Sequence, residues 1–226
     1  METKILNTGE PPGDPKIKEP WPENFVDWNR PGDLRLLDEF DSRLNEAEDE
    51  RPLRDFFVVH PHLLANIFEP HCCWLFPKPC LGTTYVPDFL YCDRDSSGFE
   101  WRLVELESPK MQATTEAGSI SGHCHHAVEQ IFDYRRWLHE NASVVQKQYP
   151  NLGQDCHGLI VIGRQEKERT ELEHEPLAEF RNQRIEIASY DSLLYQVRER
   201  MEFINRNWDR AAEIAERLKA ERSMCK

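Results

Sequence analysis

The 226-residue chain has no apolar run approaching the roughly 18 residues that a membrane span requires, and its mean hydropathy is −0.71. Its opening stretch, METKILNTGEPPGDPKIKEP, lacks the basic region and apolar core of a signal peptide. A cytoplasmic protein that avoids membranes is the expectation from both absences. Basic residues are scarce: 28 Lys and Arg face 41 Asp and Glu, for a formal charge of −13. Such a chain does not adhere to nucleic acid or anionic lipid through its overall field. A nuclease is still compatible with this charge, because a local basic groove and bound metal ions can offset acids at one site. DNA affinity would then be local and salt-sensitive. No Gly-rich phosphate cradle is present, which excludes ATP or GTP use by the common loop motifs. The seven cysteines are odd in number and form no pair of Cys-x-x-Cys-like units. GHCHHA and the upstream HCC invite a zinc reading, but neighbouring histidines on one helix cannot all face one ion. Free thiols are the expectation.

The first 30 or so residues are rich in proline and polar groups and read as a flexible arm, with the WPENFVDW tryptophans available to dock elsewhere. Leu34, Leu37, Phe40 and Leu44 then recur at helical spacing behind the cap-like Asp33. LRDFFVVHPHLLANIF reads as two short helices broken before Pro61. CCWLF, YVPDFLYC and FEWRLVELE are β-type runs, the last two joined by the hairpin-like RDSSG. A long helix is expected over HHAVEQIFDYRRWLHENA. HGLIVIG reads as a strand buried on both faces. RTELEHEPLAEFRNQ reads as a helix, RIEIASY as a strand, and DSLLYQVRERMEFINRNW as a helix capped by Asp191. The final DRAAEIAERLKAERSMCK reads as a separate charged surface helix. This order gives an α/β fold, a central mixed β-sheet flanked by helices. The chain divides into residues 1–50 (arm and helix), 51–200 (the α/β domain) and 201–226 (a helical extension).

The chemistry-bearing stretch is YVPDFLYCDRDSSGFEWRLVELESPK. Glu105 and Glu107 are two apart on a strand and share a face, and Asp88 lies on the neighbouring strand. Like charges buried together need a cation between them. Mg²⁺ meets that need with carboxylate and water oxygens. The opposing reading is a solvated strand end paired with Arg102 or Lys110; spacing alone leaves both open. On the following helix, His126, Gln130 and Tyr134 fall one turn apart on one face. Arg135 and Arg136 lie beside that face, where phosphate contact and plain solvation are both open. Glu69 sits on the helix before the sheet, equally well placed as a helix-end residue.

RPLRDFFVVHPHLL, VPDFLY, WRLVELESPK, HHAVEQIFDYRRWLHEN, LIVIGR and IEIASYDSLL, in this order over roughly residues 50–200, resemble the Shedu family of bacterial anti-phage nucleases within the PD-(D/E)xK superfamily. The resemblance implies a restriction-endonuclease-like core and divalent-metal-dependent DNA cleavage or nicking with Mg²⁺ or Mn²⁺. Asp88 and Glu105 would be the main metal ligands. Glu107 stands where the motif carries lysine and would serve as a further ligand or as a base; Lys110 would return an ammonium to the site. Gln130 would brace the site, Tyr134 would approach the DNA or the metal-bound water, and Arg135, Arg136 and His126 are candidate DNA contacts. DNA and further copies of the chain are the implied partners. The alternative is an inactive member that senses DNA or a phage protein, an alternative kept open by the glutamate at 107 and the acidic charge.

Overall fold

The computed structural model describes residues 20–164 and 175–224, without the side chains of 175, 176 and 215–224. The expected helix over RTELEHEPLAEFRNQ lies partly outside these residues. A six-stranded sheet runs in chain order: β1 (Phe25–Val26), β2 (Cys73–Pro77), β3 (Phe89–Asp95), β4 (Gly98–Leu106), β5 (His157–Val161) and β6 (Ile185–Ala188). The first four strands are antiparallel neighbours, whereas β4, β5 and β6 are parallel. Parallel neighbours require crossovers. These are α4 (Gly122–Glu140) with α5 (Ala142–Gln148), and then α6 (Glu175–Arg181). The mixed α/β sheet expected from the sequence is therefore present.

The two faces of the sheet carry separate cores. One is covered by α1 (Arg35–Glu46), α2 (Arg51–Val59), α3 (Pro61–Ala65) and the start of α7 (Tyr190–Met224), which bury Leu37, Phe40, Leu53, Leu64 and Tyr190. The other is covered by α4, whose Cys124, Ala127, Val128, Ile131, Tyr134 and Leu138 form one apolar stripe. Ser121 caps that helix by accepting from the Cys124 N–H at 3.1 Å. The β3–β4 hairpin closes through Asp95, whose Oδ1 accepts from the Ser97 and Gly98 N–H groups at 2.7 and 3.2 Å.

The structure corrects three sequence expectations. The arm does not run to residue 30: Trp21 packs edge-on against Trp74, Phe76, Phe99 and Trp101, and β1 pairs with β2. The two C-terminal helices are one helix, α7, because no glycine or proline interrupts NRNWDRAAE. Asp191 does not cap α7: Ser189 Oγ accepts from the Ser192 N–H at 3.1 Å, while Asp191 is bound by the Arg164 guanidinium at 2.6–3.0 Å.

Candidate functional site

Strand register assembles the site. β2 pairs Pro77 with Phe89, and just beyond this pair the Lys78 N–H donates to the Asp88 carbonyl at 2.9 Å. β3 pairs Phe89 with Val104, so Asp88 continues the register opposite Glu105, which itself pairs with Ile160 of β5. Lys78, Asp88 and Glu105 thus form one row across three strands, at the roughly 5 Å inter-strand spacing. The two carboxylates are 4% and 6% exposed.

Their surroundings differ. Asp88 Oδ2 accepts from the Leu106 N–H at 2.9 Å, which fixes the carboxylate in the sheet plane. Its Oδ1 receives the Lys78 ammonium at 2.5 Å, with Arg54 of α2 at 3.7 Å. Among the described residues, no cation contacts Glu105 directly. The Tyr134 hydroxyl lies beside its carboxylate and favours the charged form, yet Oε1 is buried with no hydrogen-bond partner among the described residues. Burial first, and then the charge of Asp88, push the Glu105 carboxyl up to about 8. Burial also raises the Tyr134 hydroxyl, and Glu105 adds to that shift.

Glu107 follows the end of β4. Its N–H donates to the Val161 carbonyl at 2.8 Å, and its own carbonyl accepts from the Tyr190 hydroxyl at 2.8 Å. Its half-buried carboxyl is raised by burial and by Glu50, against the pull of His126 and His123. Among the described residues, no three His, Cys, Asp or Glu side chains are gathered as a ready-made metal cage. Glu107 is therefore not grouped with Asp88 and Glu105 as a three-carboxylate cluster. That pair still suits a hard divalent cation, because Glu105 offers a buried, unpartnered oxygen beside a second carboxylate and Mg²⁺ keeps several waters.

Residues 47–194, well over half of the chain, match the family described as Shedu protein SduA, C-terminal. The chain belongs to the Shedu family. Membership points to a role in anti-phage defence. No curated protein sequence matches the chain.

In this Shedu chain the remaining expected site residues separate. Gln130 is half-buried one turn before Tyr134, and the Tyr134 ring lies edge-on to Tyr85 at 5.6 Å. His126 is exposed beside Glu107. Lys110 pairs with Glu48 rather than turning to the acids. Arg136 is exposed and paired with Asp133. Glu69 ends a 3-10 turn with φ 47° and is exposed near Arg200, away from the row. A separate cavity of about 330 Å³, lined by Gln112, Arg164, Arg181, Ser189 and Ser192 among others, lies past the ends of β5 and β6; neither Asp88 nor Glu105 lines it.

Arg135 corrects its expected phosphate role. Its guanidinium donates to the carbonyls of Cys156 (2.6 and 3.1 Å), Gln183 (2.8 Å) and Arg184 (3.1 Å), tying together the entries of β5 and β6. Arg135→Ala leaves those carbonyls without their donor and is expected to destabilise the fold by about 2 kcal/mol. Urea denaturation measures this; an unchanged midpoint would refute the tie.

Sequence reasoning missed Lys78 and Arg54. Lys78 lies ten residues before Asp88, and only the antiparallel register brings the two together. Arg54 reaches Asp88 from a helix on the opposite core.

Proposed function

We propose that the chain is a divalent-metal-dependent DNA endonuclease or nickase of anti-phage defence. The observation that carries this reading is the buried Oε1 of Glu105 beside Asp88, an oxygen with no hydrogen-bond partner among the described residues that a divalent cation would engage. Asp88 and Glu105 hold Mg²⁺ or Mn²⁺. Once bound, the ion supplies Lewis-acid polarisation of the phosphodiester and a more acidic water. Tyr134 orients Glu105 through its hydroxyl, and the sheet plane fixes Asp88 through Leu106. Gln130 braces α4 beside the acids. Glu107, flanked by His123 and His126, is placed to take a proton near the same strand end. His126 and Arg136 face solvent and contact the DNA backbone. The protein acts in the cytoplasm as a homo-oligomer, and the exposed Phe203, Trp208 and Ile214 of α7 are a candidate contact between copies.

The test is supercoiled plasmid incubated with purified protein in Mg²⁺, Mn²⁺ or EDTA, beside Asp88→Ala and Glu105→Ala. Metal-dependent nicking lost in both variants is expected; nicking that survives both would refute the site. One observation favours a second reading, a DNA-sensing module without cleavage: Lys78 and Arg54 already neutralise Asp88, and no lysine stands at 107. DNA binding that persists in EDTA, with no cleavage in any metal, would select it.

A further inference from the structure

We propose that Lys78 supplies the ammonium that the position of Glu107 lacks: it is the counter-ion of Asp88 while the acids are free of metal, and the catalytic cation that contacts the scissile phosphate when metal is bound. This inference rests on the nuclease reading above.

Three features of the chain carry it. The Lys78 ammonium stands at 2.5 Å from Asp88 Oδ1, in the same cross-strand row as the two carboxylates. Asp88 Oδ2 is engaged by the Leu106 N–H, so Oδ1 is the oxygen that a bound cation would share, and Lys78 occupies it. A cation at Asp88 therefore competes directly with this ammonium. The competition does not strip Asp88 of positive neighbours, because Arg54 stays within 3.7 Å on a mostly buried side chain.

The second feature is freedom to move. The Lys78 side chain is 46% exposed, whereas Asp88 is almost wholly enclosed. Lysine is a compact point charge on a flexible four-carbon stem. Displaced from Oδ1, it remains at the mouth of the site, where it can donate to a phosphate oxygen without leaving its strand end. Its part is electrostatic stabilisation of developing negative charge and requires no proton transfer.

The third feature is the backbone. Lys78 has φ 48°, in the left-handed region, where a residue with a Cβ is held under strain. The Lys78 N–H to Asp88 carbonyl bond keeps it there. Glycine would fit this conformation without strain, so the position carries a side chain in spite of its geometry. Lys110, the sequence's other candidate, is held by Glu48.

The test compares wild type with Lys78→Met, Lys78→Gln and Lys78→Arg, each checked for folding by circular dichroism. Mn²⁺ binding to the DNA-free protein is measured by calorimetry, and single-turnover nicking of supercoiled plasmid is followed separately. Losing the competitor should tighten Mn²⁺ binding roughly ten-fold in the Met and Gln variants. The same variants should nick about 100-fold more slowly, and Lys78→Arg should recover part of the rate. A merely structural lysine would not tighten metal binding while slowing cleavage. Nicking at the wild-type rate in Lys78→Met, or unchanged Mn²⁺ affinity in both neutral variants, would overturn the proposal. A wild type that nicks nothing in any metal defeats the nuclease reading and the catalytic half of this one together. The calorimetry then still decides the counter-ion half.

Discussion

Glu105→Gln should make the metal-free protein more stable at pH 8 by on the order of 3 kcal/mol while lowering metal-dependent nicking by about 10³-fold. The carboxyl titrates near 8 in the fold, against 4.5 as its ordinary value. Its folded pKa is therefore raised, and its contribution to stability is full below about 4.5. As pH rises, the unfolded chain releases the proton first, so stability is lost progressively until the folded group ionises near 8. Glutamine keeps the shape, never ionises, and can donate from its amide to Asp88. The gain should be close to zero at pH 4.5, grow through neutrality and level off above pH 8. Urea denaturation in EDTA across pH 4.5–8.5 measures it. A gap that is flat with pH, or that favours the wild type at pH 8, would show that Glu105 is not held as a neutral acid. The loss of cleavage has the same origin: the amide removes the anionic oxygen that draws in a cation. A variant gaining stability as it loses function marks a residue kept for chemistry.

Gly163→Ala is expected to destabilise the protein by about 3 kcal/mol or more. Gly163 follows β5 with φ 71°, and a Cβ built there collides with the Met111 carbonyl oxygen. Its N–H donates to the Ser108 carbonyl at 3.3 Å, and its carbonyl accepts from the Tyr190 N–H at 3.1 Å. One glycine therefore joins the segment after β4, the end of β5 and the start of α7. Tyr190 in turn holds the Glu107 carbonyl, so strain at Gly163 should also disturb the strand end beside the acids. Chemical denaturation reads the loss; a cost below about 1 kcal/mol would mean that the Met111 segment yields freely.

The parts of this fold that were legible in the sequence are those governed by local pattern. After His157, HGLIV is uniformly apolar and becomes a strand buried on both faces. The Ala127, Ile131, Tyr134, Leu138 spacing becomes the buried stripe of α4. Spacing put Glu105 and Glu107 on one face with Asp88 on the neighbouring strand, whereas the register sets Asp88 opposite Glu105 as the buried pair. The hidden parts depend on register and distance along the chain. Nothing in FPKPC announces that Lys78 will meet Asp88, since that follows from how β2 slides against β3. Arg135 and Arg136 are adjacent and chemically alike, yet one is spent on main-chain carbonyls and the other faces solvent. Two-residue β1 was too short to carry any periodicity.

That short first strand matters for where the folding unit begins. The family match starts at residue 47, but Phe25 and Val26 cover Trp74 and Cys73, the Asn24 amide covers the Leu75 carbonyl at 3.1 Å, and Trp21 fills the aromatic bowl beneath. A fragment cut at the family boundary would bare the outer rim of the sheet along β2. An uncovered rim of that kind recruits strands from other molecules. Residues 20–46, upstream of the shared domain, thus belong to the folding unit and cover that rim.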